Sequence, residues 1–317
     1  MLRELKFVQG AVAKKDLLPA MTHFAIEGGH VRSYNGTLAL SSPIPFDIDC
    51  KPKAGPLVQA IANCDETVTL SMTPAGKLRI QSGKFRAFVD CIDGETPHVM
   101  PEGVEVQFDG EQLLTAFKAL APFVGNDASR PWTNGILLRG QSAFATNNLC
   151  LVEYWIGSET PFTANIPMVA VKEIIRINEA PTHGQLTENS ITFHFTDGRW
   201  IRSQLYSTEW PDLSKVLDRP SNPIELDQRI FEGLDVIKPF ADKMGRVFFD
   251  GEAVKTHLEE GVGATFELPG FAVTGVYQIE MLKLLKDVVQ KVDFSLYPDP
   301  CMFFGGRIRG AIVGMRL

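Results

Sequence analysis

At 317 residues, with 44% hydrophobic and 22% charged side chains, the chain has the composition of a globular protein and the length for two or three domains. Its formal charge of −7 excludes gripping nucleic acid by overall basicity, but leaves room for a basic lining on an acidic body. No run of about 18 apolar residues occurs, and Met1-Leu2-Arg3-Glu4-Leu5-Lys6 is too polar to open a secretory signal. The expectation is a cytoplasmic protein with no membrane partner. Cys50, Cys64, Cys91, Cys150 and Cys301 are odd in number and scattered, with no C-x-x-C spacing, so neither a disulfide framework nor a zinc site is expected, and no cofactor is implied.

In chain order, Leu5 to Val8 reads as a strand and Lys14 to Leu18 as a short helical stretch ended by Gly28-Gly29. Val31 to Tyr34 and Thr37 to Leu40 flank Asn35-Gly36, the strongest hairpin signal in the chain. Pro56 to Asn63 has helical spacing, with Leu57, Val58 and Ile61 on one face. Strands follow at Val68 to Met72, Leu78 to Ile80 and Phe85 to Val89, and Glu95-Thr96-Pro97 closes the unit. The next unit opens with a strand at Val104 to Phe108 and an amphipathic helix from Gly110 to Val124. It continues with a strand at Asn134 to Leu138, a turn at Asn147-Asn148, a helix from Pro167 to Asn178 and an alternating strand at Ile191 to Phe195. The remainder repeats the order: a strand near Ile224, helices over Asp227 to Ala241 and Tyr277 to Gln290, and strands at Arg246 to Phe249, Phe294 to Leu296 and Ile308 to Val313.

The first two units share one register. Asn35 and Asn147, Gly83 and Gly198, and Pro97 and Pro211 lie 112, 115 and 114 residues apart, and Gly306 lies 108 beyond Gly198. Repetition at so constant an offset outranks any local motif. With chain breakers at Pro101-Glu102-Gly103 and Arg219-Pro220-Ser221-Asn222-Pro223, the domains are expected at 1–103, 104–221 and 222–317. Each is an α+β unit of two helices packed on antiparallel strands.

Four motifs resemble the bacterial DNA polymerase III beta subunit, the sliding clamp. Asn134-Gly135-Ile136-Leu137-Leu138 is similar to that family's Asn-Gly-Met-Leu-Phe strand, and Thr146-Asn147-Asn148-Leu149-Cys150-Leu151 stands where it has Thr-Asp-Gly-His-Arg-Leu. Trp210-Pro211-Asp212-Leu213 with Lys215-Val216-Leu217 resembles its Phe-Pro-Asp-Tyr with Arg-Val-Leu, and Gly314-Met315-Arg316-Leu317 its terminal Met-Pro-Met-Arg-Leu. Asn148-Leu149 in place of Gly-His, and Gly314 in place of Pro, depart from the family's pattern; with the short first domain they suggest a divergent member, bacterial or carried by a phage or mobile element.

The resemblance implies three tandem clamp folds, a head-to-tail homodimer closing a six-domain ring, and double-stranded DNA threaded through it. It implies a non-catalytic subunit for processive replication, bound by DNA polymerase and clamp-loader subunits through short peptides. Helix faces carrying Lys172 and Arg176 at i,i+4, together with Lys118, Lys238, Lys283 and Lys286, would face the DNA; taken alone they also fit a solvated helix surface. The peptide dock between the second and third domains would comprise Thr133, Thr146, Asn148, Leu149, Leu151, Pro211, Lys215, Val216, Tyr277 and Met281. The tail residues Val313, Gly314, Met315, Arg316 and Leu317 would complete it, although Leu149, Leu151 and Val216 also fit an ordinary core.

Two rivals come from other classes. Trp210-Pro211-Asp212 spells the acid loop of tyrosine phosphatases and Cys301 to Arg307 has their C-x5-R spacing, but Ile308 to Val313 alternates like a strand where that chemistry needs a helix N-terminus. A repeat-built structural β protein is the other, and gives the basic helices no purpose. The six histidines form no H-E-x-x-H, and His194 between Phe193 and Phe195 suits a satisfied strand histidine better than a ligand.

Overall fold

The computed structural model describes residues 1–15, 18–65 and 67–316. Helix α1 (Leu2–Val8) opens the chain, followed by β1 (Ala25–Glu27), β2 (His30–Tyr34), β3 (Leu38–Pro43), α2 (Ala54–Ala62), β4 (Thr69–Met72), β5 (Lys77–Ser82) and β6 (Phe85–Asp90). Next come β7 (Val104–Val106), α3 (Gly110–Leu120), β8 (Gly135–Thr146), β9 (Cys150–Pro167), α4 (Met168–Ile177), β10 (His183–Leu186), β11 (Ser190–His194), β12 (Trp200–Gln204) and the single turn α5 (Ser214–Leu217). The last third holds β13 (Ile224–Glu225), α6 (Arg229–Ile237), β14 (Arg246–Asp250), β15 (Ala253–Lys255), β16 (Thr265–Glu267), β17 (Thr274–Gln278), α7 (Ile279–Lys283), β18 (Lys291–Val292), β19 (Cys301–Gly305) and β20 (Ile308–Ile312).

Several elements differ from the expectation. Leu5 to Val8 is helical, because Leu5 and Val8 stand one turn apart and bury together with Phe7, and the first turn closes through Leu5 N–H to Met1 O at 3.1 Å. The helix expected over Tyr277 to Gln290 is confined to α7: Tyr277 pairs with Val247 as a strand, and Asp287 at φ +64° takes the chain out of helical geometry. Pro122 and Pro239 convert the ends of the two longer expected helices into 3₁₀ turns at Ala121–Phe123 and Lys238–Phe240, and Phe294–Leu296 is a 3₁₀ turn rather than a strand. Asp16 and Leu17, in the expected Lys14 to Leu18 helix, lie outside the described residues.

The chain divides into two compact units, residues 1–114 with 169–205, and 115–168 with 206–317. In the first, a seven-stranded antiparallel sheet runs β1-β2-β3-β12-β11-β10-β7, and a three-stranded sheet runs β4-β5-β6. Two halves of the larger sheet meet at β3 and β12, in the register Leu38 with Ser203 and Ala39 with Arg202. Helix α1 packs on this sheet through Phe7, which meets Phe195 edge to face at 5.9 Å. The buried Arg199 guanidinium covers both rings, 4.8 Å from Phe7 and 5.5 Å from Phe195, and is bonded by Asp197 at 2.7 Å and by Glu179. Burial pushes the Glu179 carboxyl up, but Arg199 and Arg3 outweigh it and hold it below its usual range. Asp197 is lowered in the same way, Arg199 contributing most.

In the second unit, a six-stranded sheet runs β13-β18-β19-β20-β9-β8 and a four-stranded sheet β16-β15-β14-β17. Its two halves join at β9 and β20, Cys150 opposite Ile312 and Leu151 opposite Ala311. The core beneath β14 and β17 is aromatic: Phe249, Phe271, Tyr277 and Phe294 meet at centroid distances of 5.2 to 6.4 Å. Helix α6 presses close to β15 and β16 because Gly233 leaves room, a Cβ there falling 2.8 Å from the Phe266 ring.

Candidate functional site

The expected peptide dock is carried wholly by the second unit. Its base is the β8–β9 turn, where the Asn147 carboxamide oxygen accepts from Leu149 N–H at 3.1 Å and Cys150 N–H at 2.7 Å. The Thr146 hydroxyl donates to Cys150 O at 2.7 Å and accepts from Asn148 N–H at 3.1 Å, and Asn148 takes φ +71°, which asparagine tolerates better than most residues. The other end of the Asn147 amide reaches Met281 Sδ of α7 at 3.2 Å, and Arg130 donates to Asn148 Oδ1 at 3.0 Å. The turn is therefore held from both sides.

The tail is pinned beside it. Val313 N–H donates to Leu149 O at 2.8 Å, Met315 N–H to Val276 O at 2.7 Å, and Tyr297 OH to Met315 O at 2.8 Å. Gly314 is required by this path, since a Cβ would fall 2.5 Å from the Tyr297 ring. Leu149 and Val313 remain 36% and 38% exposed, with Met281, Met315 and Leu151 half-buried around them. Leu151 also packs on a buried cluster of Leu137, Phe144, Trp210 and Leu217, where Trp210 and Trp132 meet at 5.0 Å. Val216 is half-buried, and Pro211, Lys215, Asn148 and Arg316 are exposed.

Thr133 and Tyr277 have no exposed surface. Thr133 donates to Arg130 O at 2.9 Å and Tyr277 lies in the aromatic core with its hydroxyl 3.2 Å from Cys301 Sγ, so both shape this surface from below. Leu317 lies outside the described residues. Sequence reasoning passed over Trp132 and Tyr297, and over the Trp210 indole N–H, which is buried with no partner among the described residues. Aromatic spacing to Trp210 alone signals none of these contacts.

The basic residues fall into a set in each unit. In the second, Lys118 is exposed on α3; Lys238 meets Glu280 at 2.6 Å, and Lys283 is bonded to Asp235. The Lys283 bond, then the charges of Lys286 and Lys238, hold the Asp235 carboxyl below its usual range. In the first, Lys172 is exposed on α4, while Arg176 bonds Glu173 at 2.7 Å and Phe7 O at 3.0 Å. A groove of about 610 Å³ beside Arg176 is also lined by Lys6, Lys14 and Lys53, of which the strand reading of Leu5 to Val8 hid Lys6.

The phosphatase-like strings have the opposite chemistry to that enzyme. Cys301 is buried at the start of β19, where burial pushes its thiol up, and β20 follows the turn. Arg307 lies over the Trp155 ring at 5.3 Å and donates to Ile156 O at 2.9 Å. The Asp212 carboxyl accepts from the Ser214 hydroxyl at 2.6 Å and the Ser214 N–H at 3.2 Å; these bonds hold it below its usual range, whereas a general acid needs the reverse. Among the described residues no cluster of three or more His, Cys, Asp or Glu could hold a metal, and no helix is long and apolar enough to cross a membrane.

No family model matches the sequence, and no curated protein matches it. Solved structures do. The DNA polymerase III subunit beta of Pseudomonas aeruginosa is similar at a TM-score of 0.84 and 16% identity, over 100% of this chain and 97% of that one. The DNA polymerase sliding clamp of Bacillus subtilis reaches 0.80 at 15%, and the Caulobacter (C. crescentus) beta sliding clamp 0.82 at 15%, each over 100% of this chain and 97% of the other. The chain has the fold of the bacterial DNA polymerase III beta sliding clamps, at an identity that marks it as divergent.

Proposed function

We propose that the protein is a DNA sliding clamp: a non-catalytic, cytoplasmic ring that encircles double-stranded DNA and tethers a replicative polymerase. The observation that carries this is the full-length fold match joined to basic helix faces on a chain of net charge −7. Lys6, Lys14, Lys53, Lys172 and Arg176 in one unit, and Lys118, Lys238, Lys283 and Lys286 in the other, contact phosphates diffusely. Such contacts lower the energy of the threaded duplex without reading bases, so the ring slides. The three domains, 1–103, 104–221 and 222–317, are tandem clamp folds, and the groove around Leu149, Leu151, Met281, Val313 and Met315 takes short peptides of polymerase and clamp-loader subunits. Methionine walls suit several peptides.

Ring closure is a head-to-tail homodimer. β12 joins β3 and β20 joins β9, and β6 is their counterpart in the repeat, with Phe85 to Val89 unpaired on the matching side among the described residues. It carries Arg86 and the 55% exposed Phe88, with Lys84 in the turn before it. The outer strand β16 ends in Glu267 and is preceded by Glu259, Glu260 and Leu258, which is 63% exposed. Pairing β6 of one copy with β16 of the next satisfies both edges with complementary charge.

The test is topological. Loaded protein should persist on nicked circular DNA and leave rapidly once the circle is cut; equal retention on both forms would sink the mechanism. Solution mass should be near twice 35.0 kDa.

A further inference from the structure

Apart from the dock and the basic helix faces, a groove of about 550 Å³ lies over β18, β19, β20 and β9 in the second unit. Strand register fixes which side chains share it. Lys291 stands opposite Phe304, Phe304 opposite Arg309 and Arg309 opposite Glu153, so the four form one row across four strands. Two residues along from Arg309 and Glu153 come Arg307 and Trp155, on the same face by alternation and tied by Trp155 N–H to Arg307 O at 2.9 Å. Cations and aromatic rings therefore interleave on this face.

Both rings reach solvent. Trp155 is 50% exposed, with the Arg307 guanidinium 5.3 Å from its centroid, and Phe304 is half-buried although Met302 and Phe303 beside it are fully buried. The cations are available too. Arg307 donates to Ile156 O at 2.9 Å and has no carboxylate partner among the described residues. Lys291 meets Glu225 only at 3.5 Å, with both side chains more than half exposed, and Arg309, shared between Glu153 and Asp218, keeps 41% of its side chain exposed. Exposed pairs of this kind are worth little and yield readily to a phosphate. Among the described residues, Glu153 is the one acidic side chain lining the groove, and Arg309 already holds it.

We propose that this face of the six-stranded sheet binds single-stranded DNA. Bases stack on the exposed indole of Trp155 and on Phe304, whose strands lie two apart, at about 10 Å. Arg307 and Arg309, on the strand between them and its leading turn, take the intervening phosphates, and Lys291 takes the next. A duplex keeps its base faces inside its own stack, so the groove selects the unpaired strand. An acidic peptide would use the cations and leave both rings bare. The groove's chemistry depends on neither the dock nor ring closure; that the strand is DNA rests on the clamp reading.

The probe is a labelled thymidylate octamer titrated into the full chain at low salt, read by fluorescence anisotropy and by quenching of tryptophan emission. Binding should weaken steeply as salt rises. Trp155→Ala and Arg307→Ala should each weaken it at least tenfold, about the loss of one stacked base. The melting temperature should hardly move, since both side chains are exposed. Trp155→Phe should keep most of the affinity. An abasic octamer of the same charge, and a blunt duplex of the same length, should each bind at least tenfold more weakly. No saturable binding, unaltered affinity in both alanine variants, or an abasic octamer that binds equally well overturns the proposal. So does equal competition by a glutamate octapeptide, which assigns the groove to an acidic protein segment, or tighter binding of a uridylate octamer, which assigns it to RNA. Octamer binding without retention on circular DNA would fail the ring and leave the groove standing; retention without octamer binding would fail the groove alone.

Discussion

The two joints of the molecule share one geometry and differ in surface. In the first unit β3 meets β12 with Leu38 opposite Ser203, and Gln204 N–H donates to Thr37 O at 3.2 Å. In the second, 112 residues on from Leu38, β9 meets β20 with Cys150 opposite Ile312, and Val313 N–H donates to Leu149 O. Both turns are built alike, the Asn35 oxygen accepting from Thr37 and Leu38 N–H as the Asn147 oxygen does from Leu149 and Cys150. Yet Thr37, Ala39 and Gln204 stand where Leu149, Leu151 and Val313 stand in the other joint. A repeated backbone thus carries one polar seam and one apolar groove, and chemistry rather than architecture makes the second a dock.

The most disruptive way to break this pair is at the backbone of one joint. Gly310 of β20 stands where Ile201 stands in β12, and a Cβ there falls 2.4 Å from the Phe303 ring and 2.5 Å from Leu151 O. Gly310→Val should cost about 3 kcal/mol of stability, at the upper end for overpacking, read as a lowered urea midpoint of the second unit's transition. Next in size, Leu149→Asp with Val313→Asp should weaken clamp-binding peptides at least thirtyfold, about 2 kcal/mol, with melting unchanged because both side chains are exposed. The matched change Thr37→Asp with Gln204→Asp should leave peptide affinity untouched; a loss there would show that the joints are not functionally distinct.

A smaller effect separates the units by pH. Glu179 and Asp197 have folded-state carboxyl values below the ordinary 4.5 and 3.8, so their stabilisation of the first unit is complete above those values. It is lost as pH falls through the lowered folded values. Arg199→Met should flatten this acid-side decline and lower the melting temperature of the first unit at neutral pH by roughly 2–4 °C per kcal/mol lost. An unchanged acid profile would reject the coupling. Smallest of all, Asn35→Ala and Asn147→Ala should each cost about 1 kcal/mol through the lost turn bonds. Only Asn147→Ala, which also frees Met281, should alter peptide affinity, by a few-fold in titration calorimetry.

Much of this was legible in the chain. Asn35-Gly36 and Asn147-Asn148 announced the turns, Val171 and Ile174 the buried face of α4, and the offset between repeats implied one architecture used again. Those signals act over a few residues or recur at a fixed period, so they survive without knowledge of the partner surfaces. The helical state of Leu5 to Val8 was not legible, because the apolar positions Leu5, Phe7 and Val8 fit either period over so short a segment. Nor was the strand state of Tyr277, which is imposed by pairing with Val247 from 30 residues away.

The sequence by itself thus determined the turns, the amphipathic faces, the repeat and the motifs at its ends. Only the tertiary structure decided which side chains meet: that Val313 lies on Leu149, and that Asp235 and Glu280 pair with Lys283 and Lys238. The physical reason is range. Turn chemistry and periodicity are local properties of the backbone, whereas neutralised charges and apolar grooves depend on segments far apart in the chain; Leu149 and Val313 are 164 residues apart.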